Sequence, residues 1–436
     1  MIIKFGNFNL FKYSEISLAE TILLLYISSI IIISMMPIGN LISKIIGFLF
    51  IFYFVIFHHF WYGKKIQISN ALIPIYIWFI FCVFSGLFAK DIFLFSSKIL
   101  TIFQLILFFI AGYSLINAGR ITEKQVFYTF IISTVIVIIY GALTYEPISG
   151  FIYKNRIAST TGNPNNLAVF GAFAFIFCLF LFIDENKLIK KIVLLLFMSI
   201  LVYGIINTHS RQGIVILIGS TIIYSIIRAF HNYKISNNKL KYLRNGLLLS
   251  SVLILIFVIS FQMIKESAYY FRIQTLLSFL QTGINTSTVS LAKLIDYSAY
   301  ERSQFIIYGT KIWLDNLVFG VGLDNFKVVI REYWPISNRL YSHNNYIELL
   351  STIGTFGATA YYAIYYYIIK KLLSLLKSNY LSDRQRNLIH IFFTAILSIM
   401  VVELVTVTYP KKFTWVILVI ILGFTSRMYR KNILQS

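Results

Sequence analysis

Five residues scattered along this sequence are of the types that grip anions and move protons: Arg156, His209, Arg211, Arg302 and His343. An arginine stays charged at any relevant pH, and its planar fork fits a phosphate with two hydrogen bonds. A histidine titrates near neutrality and can act as a general base. Several arginines and one histidine could hold a diphosphate without a metal ion while the imidazole activates an attacking hydroxyl. Arg156 sits in Lys154-Asn-Arg-Ile-Ala-Ser-Thr-Thr-Gly-Asn-Pro-Asn-Asn166, where Asn163-Pro164 reads as a helix start. It is either a solvated loop arginine or an anion ligand beside a helix N-terminus, with Asn163 and Asn165 supplying amides nearby. Arg211 sits in Asn207-Thr-His-Ser-Arg-Gln-Gly213, a connection of a few residues between two apolar runs. A charge there is costly, and it is either a snorkelling anchor or functional. His209 is its neighbour on the same face or a turn residue. His343 lies in Tyr341-Ser-His-Asn-Asn-Tyr-Ile-Glu-Leu349 at the mouth of another apolar run, with Asn344 and Glu348 beside it. Arg302 either pairs with Glu301 or Asp296 at the surface or binds an anion. Glu403 falls inside an apolar run, and its expected partner is a basic residue at a neighbouring span end, unless it makes a structural polar contact.

Motifs that are missing narrow the chemistry. There is no Gly-x-x-x-x-Gly-Lys-Ser/Thr loop for ATP, no His-Glu-x-x-His, no Cys-x-x-Cys and no Asp-x-Asp pair for a metal-bound sugar nucleotide. No cofactor is expected, and the site is read as metal-independent. Cys82 and Cys178 lie in different apolar runs and read as small buried hydrophobes.

The elements that must position these residues are membrane spans. Hydrophobic residues make up 58% of the chain and charged residues 12%, against about 45–50% and about 25% in soluble domains. A spanning helix needs about 20 apolar residues. That ruler gives about twelve candidates: 17–36, 41–62, 70–88, 98–117, 124–144, 164–183, 188–207, 211–230, 244–264, 344–369, 387–408 and 412–429. The net charge of +22 would suggest nucleic acid in a soluble protein. Here the lysines and arginines cluster in alternate short connections, as topology signals do, so nucleic acid is not an expected partner. With both termini in the cytoplasm, the basic clusters around Lys64, Arg120, Lys187, Arg228, Lys370 and Arg427 face inward. The five candidate residues then share the opposite side. The chain is read as one transmembrane domain, 1–436, whose long extracytoplasmic loop, 265–343, holds short helices. Within it, Tyr300–Leu317 spaces Phe305, Ile306, Gly309, Ile312 and Trp313 as an amphipathic helix lying on the membrane or over a cavity. A glycine turn follows at Phe319-Gly-Val-Gly-Leu-Asp324.

These segments, in this order, resemble the O-antigen ligase and O-antigen/capsule polymerase family of bacterial surface polysaccharide assembly. The matching pieces are Arg156–Ala168 with Gly-Asn-Pro-Asn-Asn-Leu-Ala, Ser210-Arg-Gln-Gly213, Glu301–Phe326, and Ser342–Gly354 continued by Phe356-Gly357. They cover about the middle half of the chain. The resemblance implies an all-α, lipid-linked-donor glycosyltransferase in the bacterial cytoplasmic (inner) membrane, working on its outer face. Its implied donor is a glycan on undecaprenyl pyrophosphate, with membrane lipids as surroundings and a chain-length regulator protein as a candidate partner. It would place Arg156 and Arg211, with Arg302 as a third candidate, on the pyrophosphate, and make His343 the base. Arg211 would share the catalytic work with His343. The Gly-Asn-Pro-Asn-Asn and Ser-His-Asn-Asn-Tyr segments look more like polymerases than ligases. A ligase using lipid A-core as acceptor, and a transporter of lipid-linked oligosaccharides, remain the alternatives.

Overall fold

The computed structural model describes residues 18–33, 37–56, 66, 70–119, 121–144, 157, 159–235, 297–335, 341–378 and 381–433. Arg156, the expected span 244–264, and residues 265–296 and 336–340 of the expected long loop lie outside the described residues.

The described chain is all-helical. Its helices are α1 (Leu18–Ile32), α2 (Pro37–Tyr53), α3 (Leu72–Phe84), α4 (Ile92–Ala118), α5 (Glu123–Leu143), α6 (Pro164–Asp184), α7 (Leu188–Asn207) and α8 (Arg211–Ile235). After the undescribed stretch come α9 (Tyr297–Asp315), α10 (Phe326–Tyr333), α11 (Asn345–Leu376), α12 (Asp383–Glu403) and α13 (Lys412–Ile433). Seven of these, α4–α8, α12 and α13, are long and apolar enough to cross a bilayer, and shorter apolar helices cover 18–32, 41–56 and 72–88. The protein is a polytopic membrane protein. Eleven of the twelve expected spans fall on described helices. The span expected at 344–369 differs in kind: α11 is longer, carries a tyrosine-rich, half-polar sequence and is broken at Gly354.

The helix ends follow local chemistry. Asp91 caps α4 by accepting from the N–H groups of Phe93 and Leu94, each at 3.0 Å, and Gly119 closes it in a left-handed conformation. Thr122 with Gln125, and Ser382 with Gln385, form capping boxes on α5 and α12. Asn163 caps α6, with Pro164 in its first turn.

Packing brings α6 against α5, α7 and α8, α12 against α6 and α8, α13 against α4, and α11 against α3. Outward-facing Phe93, Leu143 and Ile189 are apolar and exposed, which suits lipid rather than water. A buried aromatic group of Trp78, Tyr361, Tyr409 and Trp415 ties α3, α11 and α13, with Trp78 5.3 Å from Tyr361 and 5.7 Å from Trp415 between ring centres. At one end of the bundle Arg384 pairs with Asp184 and Glu123, and Lys124 lies 3.0 Å from Asp184. Those residues belong to the connections expected inside, so their charges also stitch α5, α6 and α12 together.

α9 and α10 cover the other end. They build a small core of their own from Phe305, Ile312, Val321, Phe326, Val329, Ile330 and Trp334. The buried stripe of α9 runs Glu301, Phe305, Gly309, Ile312, while Ile306, expected on that stripe, is 41% exposed. The glycine turn after α9 locks into the break in α11. Gly354 has φ +73°, which frees carbonyls of the preceding turn. The Val321 and Gly322 N–H groups donate to Ser351 and Thr352 carbonyls at 2.9 and 3.0 Å, and Thr355 N–H donates to the Leu317 carbonyl at 2.8 Å. A Cβ at Gly354 would collide with the Val318 carbonyl, and one at Gly320 would stand 2.6 Å from Ile353 N. Both glycines let two backbones touch.

Candidate active site

His343 sits just before α11, at the end of the bundle that carries the α9–α10 cover. Its φ of +57° is unusual for a side-chain-bearing residue. The surrounding turn is held tightly. Ser342 N–H donates to Glu348 Oε2 at 2.8 Å, and Ser342 Oγ donates to the Asn344 carbonyl at 2.7 Å. The imidazole contacts the Tyr341 ring, 4.3 Å between centres, and stacks on Phe305 of α9 at 6.1 Å. Burial, then the positive charges of Arg302 and Lys411, pull its pKa down to about 4. At neutral pH it is therefore uncharged and able to accept a proton, in a field that favours anions.

The polar residues around His343 divide by use. Glu348 is buried and spent on the Ser342 turn. Asn344 caps α11 through Ile347 N–H at 3.1 Å, and its amide donates to the Leu404 carbonyl. Buried Asn345 accepts from Thr408 and Tyr409 N–H at 2.9 and 3.1 Å and donates to the Tyr362 hydroxyl. The adjacent asparagines thus hold the connection 404–411 between α12 and α13. Glu403 anchors the same connection: its Oε1 accepts from Tyr365 and Thr408 at 2.6 Å and from Tyr361 at 3.1 Å. The basic partner expected for Glu403 is replaced by three hydroxyls. A carboxylate between α11 and α12 meets tyrosines there because α11 turns its Tyr361 and Tyr365 face inward.

The connection presents Lys411. Its ammonium donates to Thr406 Oγ1 at 3.1 Å and to Asn166 Oδ1, in the first turn of α6, at 3.3 Å. Burial pulls its pKa down to about 8. Lys411 lines a cavity of about 250 Å³ together with Asn166, Gln212, Thr406 and a wall of phenylalanines from α6 and α13.

Of the expected site residues, the described structure gathers His343 and Arg302 into one electrostatic cluster. Asn163 acts as the α6 cap, accepting from Asn165 N–H at 2.8 Å. Asn165 stands beside it on the first turn, while Asn166 reaches the cavity. His209, with φ +47°, forms the tight turn between α7 and α8. Arg211 opens α8 next to Gln212, which lines the cavity. Lys411, Asn166 and Gln212 are additions to the expected set. Lys411 had a visible signal: Lys411-Lys412 lies on the side that the other short connections leave poor in charge. The facing groups are cations, amides and hydroxyls, a donor set for oxyanions rather than for metal ions.

Residues 193–362 match the family model described as O-Antigen ligase. This stretch, less than half of the chain, is similar to O-antigen ligases. The matched stretch runs from within α7 into α11. It takes in Arg211, Arg302 and His343 and ends before Lys411. No curated protein matches the chain at a significant level.

Proposed function

We propose that this protein is a glycosyltransferase of the O-antigen ligase family that polymerises undecaprenyl-pyrophosphate-linked repeat units on the outer face of the bacterial cytoplasmic membrane. The observation that carries the reading is His343 itself, an imidazole held in a tight turn at the mouth of α11 and kept neutral by burial and by the charges of Arg302 and Lys411. The hydroxyl of an incoming repeat unit attacks the anomeric carbon of the donor glycan. The bond from that carbon to the diphosphate oxygen breaks, and the electron pair leaves with the undecaprenyl diphosphate. The hydroxyl proton passes to His343, and a single displacement inverts the anomeric centre. Arg211 and Arg302, joined by Arg156, offset charge developing on the leaving diphosphate. A base with a pKa near 4 is weak; burial is the main cause, and an arriving diphosphate would offset the Arg302 and Lys411 charges and raise its basicity.

The match to the O-antigen ligase family model favours a second reading, transfer of the glycan to lipid A-core. The surface glycan of a deletion strain separates the two. Single repeats on lipid A-core indicate a lost polymerase. Bare core with accumulated lipid-linked polymer indicates a lost ligase. Purified protein given lipid-linked repeats should lengthen glycans without ATP, and transport with no new glycosidic bond would overturn both enzyme readings.

A further inference from the structure

The cavity beside Lys411 has walls and a volume that say what fits it. At about 250 Å³ it holds far more than one water, whose share of liquid volume is about 30 Å³. It falls below the roughly 300–1,000 Å³ of pockets that enclose drug-sized ligands. That is room for one ring, not for an oligosaccharide. Phe170, Phe173 and Phe413 pack with ring centres 4.9 and 5.2 Å apart and make one wall apolar. The opposite chemistry is concentrated in a few polar groups. The Gln212 side-chain nitrogen is buried without an acceptor. Lys411 donates only to neutral oxygens, those of Asn166 and Thr406, and no carboxylate among the described residues pairs with it. An amide donor and an unneutralised ammonium in one partly open cavity call for an oxygen-rich anion. An apolar ring wall facing a few directed polar groups is the make-up of a small-ligand site.

We propose that this cavity is a subsite for a single sugar ring bearing a carboxylate, with Lys411 as its charge partner, the Gln212 amide on a ring oxygen and the phenylalanine wall against the ring's carbon–hydrogen face. The identity of the ligand as a sugar rests on the glycan-polymerising reading. Lys411 lies on the 404–411 connection that Asn344 and Asn345, next in sequence to His343, hold by hydrogen bonds, which puts the subsite near the proposed base, where an accepting sugar would lie. The subsite therefore selects the acidic residue of a repeat unit.

Lys411 is partly unprotonated near pH 8 and so is open to acylation. Full-length protein in nanodiscs is treated with limiting acetic anhydride, and modification of Lys411 is read by peptide mass spectrometry. The arms contain D-glucuronate, D-glucose or inorganic pyrophosphate at matched ionic strength. Glucuronate at about ten times its Kd should slow labelling of Lys411 roughly tenfold, because only the unoccupied fraction reacts. Glucose and pyrophosphate should leave the rate unchanged. Gln212→Leu, which keeps the lysine, should weaken the protection. Protection by pyrophosphate would assign the cavity to the donor headgroup and overturn the proposal, as would equal protection by glucose or none by glucuronate. The assay reads binding without turnover, so a negative result leaves the polymerase reading standing, and a failed polymerase assay leaves this result interpretable.

Discussion

At the scale of single residues, His343 is defined by what its neighbours forbid. Burial and two cations keep the imidazole neutral well below the usual histidine range. His343→Gln should lower turnover by about 10²–10⁴-fold, the usual share of a general base, read as glycan formed from lipid-linked repeats. The sign of the pH effect follows. The base must be unprotonated, so kcat/KM should fall as pH drops through the free enzyme's value of about 4. Arg302→Gln removes a charge that disfavours the imidazolium, so it should move that acidic limb upward. An unmoved limb would detach Arg302 from the base. The His343 motif was legible because the imidazole sits among amides at a span mouth. Lys411 carried a weaker signal, a basic pair on the charge-poor side, which a lysine's usual reading as a topology marker obscures. The Glu403 contacts were hidden for a related reason: two of its three hydroxyl partners, Tyr361 and Tyr365, are 42 and 38 residues away on another helix.

At the scale of elements, the connection 404–411 owes its shape to Asn345. Replacing Asn345 with Ala strips the acceptor from two buried N–H groups, Thr408 and Tyr409. Each buried donor left unsatisfied costs about 1–3 kcal/mol, so thermal unfolding in detergent should show a clear drop, whereas Asn345→Asp, which keeps the acceptor, should recover most of it. Activity should track the same order, since this connection carries Lys411. Gly354→Ala forces a Cβ into the Val318 carbonyl at a φ of +73°. Such a change costs more than about 1 kcal/mol, and it should expose the 316–325 segment to limited proteolysis. The helix spans were readable from apolar length alone. The break in α11 was not, because its cause lies in backbone groups more than thirty residues earlier, and no local pattern encodes that pairing.

At the scale of the whole molecule, the bundle has two chemically distinct ends. One is laced by Arg384, Asp184, Glu123 and Lys124. The other gathers His343, Arg302, Lys411, Asn166 and Gln212. The charge bias predicts that the first faces the cytoplasm. A membrane-impermeant thiol reagent on intact cells should label Lys90→Cys and spare Asn186→Cys, with the two native cysteines buried. The reverse pattern would invert the topology and with it the proposed reaction face. The interlock at Gly354 has a mechanical consequence here. Because the stretch after α9 completes the hydrogen bonding of α11, the helix that bears Arg302 is fastened to the helix that follows His343. Base and cation then travel together as one fixed jaw. Under the proposed reaction, that fastening sets the spacing of His343 and Arg302 before a substrate arrives.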